Sequence, residues 1–132
     1  MSLDNFYTVI DQRETDVANG AVDFTVRKFN FTIKLNPEHS VYMGHFPGNP
    51  VVPGVCQVQI LKELTSAMLK TDLVIQQSDN IKFLSMIVPS VSTLLTVSID
   101  IKEKERDSWH VIGAILNTDQ IFLKFKGVFR HA

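Results

Sequence analysis

The sequence predicts an α+β fold in which an antiparallel sheet wraps around one long central helix. Strand-like runs stand on both sides of a single uninterrupted helical stretch, and the connections between the later runs are short and polar. Such a sheet has one face that must be covered, and the helix is the element able to cover it. The chain has 132 residues, so we expect residues 1–132 to form a single domain.

The strand predictions depend on side chains that alternate between apolar and polar. Residues 27–35 and 93–104 alternate in this way, which is the pattern of a strand with one buried face. Further strands are predicted at residues 7–10, 80–88, 109–117 and 121–129. The dipeptide Asn19-Gly20 favours a turn between the first two strands.

The predicted helix covers residues 54–70. After Gly54 no proline or glycine interrupts it, and Leu, Ala, Met, Lys, Glu and Gln are frequent. Its apolar arc is wide, which indicates a helix that is surrounded on several sides. Cys56 lies on this arc, close to the helix start. A nucleophilic cysteine needs a base beside it, so we predict that Cys56 is a small core residue.

The composition argues against several classes of function. The formal net charge of −1 disfavours a broad nucleic-acid-binding surface. No apolar run approaches the roughly 20 residues that cross a bilayer, and the first residues lack the pattern of a signal peptide. The single cysteine excludes an internal disulfide and a thiolate-rich zinc site, and no metal or nucleotide motif is present. We therefore expect a cytoplasmic protein with no metal, cofactor, nucleic-acid partner or membrane span.

The most informative segment runs from Gly44 to Val55 and closes a long irregular stretch at residues 36–53. Its prolines stiffen the backbone, and its glycines permit a close approach of a ligand. His45 is the best candidate for proton transfer, because the ordinary pKa of histidine, about 6.5, lies near physiological pH. Gly54 lies where the helix begins, so its unpaired N–H can polarise a carbonyl oxygen.

The run from His45 to Val55, HFPGNPVVPGV, resembles the signature of the β-hydroxyacyl-acyl carrier protein dehydratases. The resemblance covers most of the chain from Arg27 onward and includes the helix. It also includes three later groups of residues, which are Lys82-Phe83, Val88-Pro89 and Phe125-Lys126-Gly127. The fixed spacing of proline and glycine in the run is highly specific for the fold of that family.

The resemblance implies a hot-dog fold, assembled as a homodimer or a larger assembly of dimers, with each active site built from both subunits. It implies that His45 removes the proton alpha to the carbonyl of a 3-hydroxyacyl thioester, while the Gly54 N–H holds the carbonyl oxygen. The thioester is carried by acyl carrier protein or coenzyme A, and the product is a trans-2-enoyl thioester. The residues expected to line the substrate are Phe46, Pro47, Gly48, Pro53 and Val55.

Two helix residues depart from the family's pattern. Members carry an acid where this chain has Gln59, and commonly a glutamine one turn later, where it has Glu63. An amide can hydrogen-bond to a leaving hydroxyl but cannot donate a proton to it as a carboxylic acid does. The two positions lie on one helix face, about 6 Å apart along the axis. We hypothesise that Glu63 supplies the missing carboxylate, directly or through a water; the alternative is a solvated or interface-facing polar stripe.

Three functions therefore remain open. The first, which we favour, is a dehydratase of 3-hydroxyacyl thioesters in fatty-acid-type biosynthesis, with an altered acid. The second is another reaction of acyl thioesters, such as hydrolysis, with Gln59 or Glu63 positioning the water. The third is a weakly catalytic subunit that binds acyl chains within a heteromeric dehydratase.

Overall fold

The computed structural model describes residues 2–15, 26–44 and 48–132. These residues form one antiparallel sheet and one long helix, which confirms the predicted α+β architecture. In chain order the elements are β1 (Tyr7–Glu14), β2 (Val26–Leu35), α1 (Val41–Gly44), α2 (Gly54–Leu69), β3 (Leu73–Phe83), β4 (Leu94–Glu105), β5 (Ser108–Leu116) and β6 (Ile121–His131). The strands lie in the order β1-β2-β4-β5-β6-β3, and each neighbouring pair is antiparallel. The turn predicted at Asn19-Gly20 lies outside the described residues.

Most of the predicted strands are confirmed with small shifts of their ends, but β3 differs from the prediction. It begins at Leu73 and ends at Phe83, whereas the sequence predicted a strand at residues 80–88. The reason is its place at the edge of the sheet, where β6 is its only neighbour among the described strands. Its side chains after Val74 are exposed, so the strand lacks the alternation that marks a half-buried strand.

The core lies between α2 and the inner face of the sheet. Apolar helix side chains, among them Ile60, Leu61 and Leu64, pack with buried aromatic and branched side chains of the strands. Leu61 lies against Gly113 of the central strand β5, where an added Cβ would be 3.0 Å from both terminal carbons of the leucine. Glycine at this position therefore lets the helix lie close to the sheet. Cys56 is buried in this core, as predicted.

The two ends of α2 are capped differently. Pro53 precedes the helix and provides no side-chain cap, so the first N–H groups of the helix depend on other acceptors. At the other end, Lys70 adopts a left-handed conformation with φ of 54° and donates its N–H to the Ser66 carbonyl oxygen. Glycine more often occupies this kind of position. The helix predicted at residues 54–70 is thus confirmed, with Lys70 as the residue that ends it.

Residues 2–6, which we call the N-terminal turn, pack against the segment that follows β2. Leu3 and Phe6 are buried in this contact. Asn36 binds the turn twice, because its Nδ2 donates to the Asn5 carbonyl oxygen and its N–H donates to that of Phe6, both at 2.9 Å. The N-terminal turn is therefore fixed to the body of the protein.

Candidate active site

The loop that precedes α2 carries most of the residues predicted for catalysis and substrate binding. His45, Phe46 and Pro47 lie outside the described residues, so their roles stay predictions. Gly48 is exposed and has φ of 89°, a left-handed conformation that favours glycine. Val55 is 64% exposed. The described part of the loop and helix start thus presents two of the predicted substrate-lining residues at the surface.

Gly54 lies in the first turn of α2. The N–H groups of Cys56 and Gln57 donate to the carbonyl oxygen of Pro53, the partly buried residue before the helix, at 3.0 and 3.1 Å. The Gly54 N–H has no acceptor in the part of the chain that the structure describes, and it shares the partial positive charge of the helix start. A donor in this state can polarise a carbonyl oxygen.

The aromatic ring of Phe83 covers this helix start. A Cβ added at Gly54 would lie 2.8 Å from the ring, so a larger residue would displace it. Phe83 itself is 52% exposed at the end of β3. The loop is tied to the same region, because the Val52 N–H donates to the Ile87 carbonyl oxygen at 2.9 Å. Glycine at position 54 therefore lets the Phe83 ring lie directly against the start of the helix.

Gln59 and Glu63 are joined by a hydrogen bond across one turn of α2. Gln59 is 9% exposed, and its Nε2 donates to Glu63 Oε2 at 3.0 Å. A carboxylate only accepts hydrogen bonds, so the amide nitrogen must face Glu63 and the orientation of the carboxamide is fixed. The prediction that the two residues share one helix face is confirmed.

The Glu63 carboxylate also binds the beginning of the chain. The Leu3 N–H donates to Oε2 and the Tyr7 hydroxyl donates to Oε1, both at 3.0 Å. Burial raises the pKa of Tyr7 above its ordinary value, and the charge of Glu63 and the hydrogen bond to it raise it further, so the phenol stays protonated. Glu63 is partly buried and accepts three hydrogen bonds within the described residues. The hypothesis that it supplies a catalytic carboxylate stays a prediction.

Sequence reasoning missed both Leu3 and Tyr7 as neighbours of Glu63. They lie 60 and 56 positions away from it in the chain, so no local pattern connects them. Leu3 in addition acts through its backbone N–H, which almost any residue provides. The available signal was the strand predicted at residues 7–10, whose first residue is Tyr7.

The N-terminal turn also contacts the residues that lead into the loop. His39 accepts the Val41 N–H at Nδ1 at 3.0 Å, so its Nε2 carries the proton and donates to the Asp4 carbonyl oxygen at 2.9 Å. The Phe6 ring packs against the rings of His39 and Tyr42, with centroids 5.1 and 5.6 Å apart. The N-terminal turn therefore contacts both α2, through Glu63, and the residues before the loop, through His39 and Tyr42.

Tyr42 and Cys56 are buried neighbours of the loop. Tyr42 is 6% exposed, and its hydroxyl has no hydrogen-bond partner in the described residues. Burial raises the pKa of Tyr42, and the neighbouring Cys56 adds to the shift. Burial also raises the pKa of the Cys56 thiol, which disfavours the thiolate that nucleophilic chemistry needs. Neither side chain is therefore suited to act as a nucleophile.

Residues 2–15, 26–44 and 48–132 contain neither a metal-ligand cluster nor a membrane-spanning helix. Within these ranges, no three His, Cys, Asp or Glu side chains are arranged to hold a metal ion. None of the helices there has both the length and the apolar character needed to cross a membrane.

The sequence of this chain is similar to a known family of dehydratases and to individual members of related families. The ApeI-like family model, described as ApeI dehydratase, matches residues 22–118. The 3-hydroxyacyl-acyl-carrier-protein dehydratase FabZ of Oenococcus oeni is 33% identical over 90 residues. That match covers 63% of this chain and 63% of the relative, so it spans less than two-thirds of the relative's length.

Two solved structures share the fold. The dehydratase heterocomplex ApeI:P from Xenorhabdus doucetiae has a TM-score of 0.62 and 17% identity, covering 94% of this chain and 97% of the other. The putative thioesterase yhdA from Lactococcus lactis has a TM-score of 0.67 and 11% identity, covering 98% and 97%. At these identities the likeness shows the fold alone, and it confirms the hot-dog fold. Because the family model matches most of its length, the chain belongs to the ApeI-like dehydratase family.

Proposed function

We propose that this protein is a dehydratase that removes water from 3-hydroxyacyl thioesters and yields trans-2-enoyl thioesters in fatty-acid-type biosynthesis. The observation that carries the proposal is the Gly54 N–H at the start of α2, which has no acceptor among the described residues and follows His45 by nine positions in the sequence. This N–H and the positive end of the helix would stabilise the negative charge that develops on the thioester oxygen. Membership of the ApeI-like dehydratase family supports this reaction class.

The proposed reaction uses His45 as its only base, and the proton that His45 takes from the alpha carbon leaves as part of the water. His45 accepts the proton from the carbon alpha to the carbonyl, and the electrons of that C–H bond form the new double bond as the bond from the beta carbon to its hydroxyl breaks. The proton on His45 then joins the hydroxyl and departs as water, so atoms and charge balance without a second acid. Gln59 is proposed to hold the hydroxyl, because an amide hydrogen-bonds to it but supplies no proton.

Glu63, in this proposal, acts through Gln59. Its carboxylate fixes the carboxamide and is itself held by the Leu3 N–H and the Tyr7 hydroxyl. These bonds occupy three of the roughly four lone-pair sites of the carboxylate, so we assign Glu63 the role of a positioning residue. The residues proposed to line the substrate are Phe46, Pro47, Gly48, Pro53 and Val55.

We further propose a homodimer that forms along β3. This strand lies at one edge of the sheet and exposes Ile75, Ile81 and Phe83 at 37%, 37% and 52%. An unpaired edge with apolar side chains is a template for pairing with a second strand. Sedimentation equilibrium is expected to give the mass of two chains or of a multiple of two, and a monomer at micromolar concentration would contradict the dimer.

The test of the reaction follows its three products separately. The purified protein is incubated with 3-hydroxyacyl and trans-2-enoyl thioesters of acyl carrier protein and of coenzyme A, and mass spectrometry records dehydration, hydration and free acid. We expect the first two reactions and no free acid. His45→Ala is expected to lower both by about 10²- to 10⁴-fold. His110→Ala is the matched control and should keep full activity, because His110 is exposed on β5.

Two results would contradict this assignment. Equal activity of His45→Ala and the unmodified protein would exclude His45 as the base. Release of free acid as the only reaction would identify a thioesterase, with Gln59 or Glu63 positioning the attacking water.

A second candidate function is an acyl-binding subunit that needs a different partner chain. The observation that favours it is the buried Gln59, whose amide is bound to Glu63, at the position where the resembling dehydratases carry an acid. One solved structure with this fold is a dehydratase heterocomplex. A partner chain with an acid at the corresponding position would complete the site. Silence in all three assays, with acyl binding retained and activity restored by such a partner, would favour this candidate.

A further inference from the structure

A pocket of about 560 Å³ opens beside the start of α2. Gly54 and Gln57 line it from the helix, and Phe83, Leu84 and Met86 line it from the end of β3 and the segment that follows. These three apolar side chains are 52%, 50% and 76% exposed. The pocket is therefore lined by exposed apolar side chains and by two residues from one turn of the helix.

The Gln57 side chain has an acceptor that the described residues leave without a donor. Gln57 is 3% exposed, and its Nε2 donates to the Val52 carbonyl oxygen at 3.2 Å. A carbonyl oxygen only accepts, so the assignment of nitrogen and oxygen in this amide is fixed. Its Oε1 is buried and has no donor among the described residues. A buried acceptor in this state is unfavourable until a water or a ligand donates to it.

We propose that Gln57 Oε1 accepts a hydrogen bond from the first amide N–H of the pantetheine arm that carries the acyl thioester, and that Gln57 thereby selects for that amide. The inference rests on the proposed function, because it takes the thioester carbonyl to lie at the Gly54 N–H. In pantetheine an ethylene spacer separates the sulfur from this amide. Gly54 and Gln57 lie within one turn of α2, so a short spacer is consistent with one ligand contacting both residues.

The rest of the pocket fits the same ligand. The apolar side chains of Phe83, Leu84 and Met86 offer contacts to the ethylene and acyl methylene groups. A ligand with an ester oxygen in place of the amide N–H would leave Gln57 Oε1 without a donor. A site that leaves a buried polar group unpaired discriminates against such a ligand.

Two ligands that differ in one group test the inference. Hexanoyl-N-acetylcysteamine carries the amide N–H, and the hexanoyl thioester of 2-acetoxyethanethiol carries an ester oxygen there. Neither has a 3-hydroxyl, so neither can lose water. Calorimetry is expected to give the unmodified protein a preference of about two- to tenfold for the amide ligand. Gln57→Met should abolish this preference and leave the affinity for the ester ligand unchanged. Gln120→Met, in the exposed turn before β6, should retain it.

Three results would overturn the inference. Equal affinity of the unmodified protein for the two ligands is the first, and this comparison requires no variant to fold. Equal weakening of both ligands in Gln57→Met is the second, because it indicates a packing role. A preference retained in that variant is the third, because another group would then accept the hydrogen bond of the amide N–H. The reaction is judged separately: an amide preference without dehydration contradicts only the reaction, and dehydration without the preference contradicts only this inference.

Discussion

Replacing Tyr7 with phenylalanine removes one oxygen atom from the hydrogen-bond network around Glu63 and leaves the ring in place. The lost bond joins the Tyr7 hydroxyl to Glu63 Oε1 at 3.0 Å. A hydrogen bond to a charged group is worth roughly 1.5–3 kcal/mol. Tyr7 is only partly buried, so water can replace part of the lost bond, and we expect the lower end, about 1.5 kcal/mol. That value corresponds to about a tenfold smaller folding equilibrium constant.

Urea denaturation, followed by circular dichroism, measures this free energy of unfolding. Tyr42→Phe is the matched control, because it removes the same atom from a tyrosine whose hydroxyl is buried but has no hydrogen-bond partner in the described residues. A buried hydroxyl without a partner has lost its hydrogen bonds to water, and removing it removes that cost. The Tyr42→Phe variant is therefore expected to be as stable as the unmodified protein or more stable. Equal destabilisation by the two substitutions would refute the reasoning, since it would show that the hydrogen bond to Glu63 contributes nothing.

Three further predictions concern the site, the response to pH and the core. Exchanging the helix pair, with Gln59→Glu and Glu63→Gln together, returns a carboxylic acid to the family's position; dehydration is expected to rise by about 10²-fold or more, and an unchanged rate would contradict the role of that position. Because burial raises the pKa of Tyr42, the unfolded chain loses this proton before the folded protein does, so stability should fall as pH rises above the ordinary tyrosine pKa of about 10. The loss should be smaller in Tyr42→Phe when urea denaturation is repeated at pH 9 and pH 11. Gly113→Ala should lower the free energy of unfolding by about 1–3 kcal/mol, because its Cβ would press on Leu61 at 3.0 Å; a stabilised variant would contradict this.

The parts of the fold that were predictable are those in which burial follows a local rule. Strand β2 alternates because one of its faces lies in the core, and its bounds were predicted to within a residue. The edge strand β3 has most of its side chains exposed, so alternation carries no information there and its first residues resembled a loop. The helix was predictable since it contains no breaker after Gly54.

In the candidate site, too, the contacts within the helix were predictable from the sequence and those that depend on tertiary packing were not. The contact between Gln59 and Glu63 follows from helical spacing, and the unpaired N–H of Gly54 follows from the position of a helix start. The donors from Leu3 and Tyr7 depend on how the chain returns to the helix, which no short pattern encodes. The Gln57 acceptor, which has no donor in the described part of the chain, is likewise a product of packing, because a glutamine in a helix is by default a surface residue.

Lys70, which ends α2 in a left-handed conformation, is a natural position for a compensating substitution. A residue with a Cβ pays about 1 kcal/mol for that conformation, and glycine does not. The 16 residues of α2 span about 24 Å, so a change at Lys70 leaves the chemistry at the far end undisturbed. Lys70→Gly would thus raise the free energy of unfolding of the protein. Variants such as Tyr7→Phe or Gln57→Met could then be assayed in a background that keeps them folded.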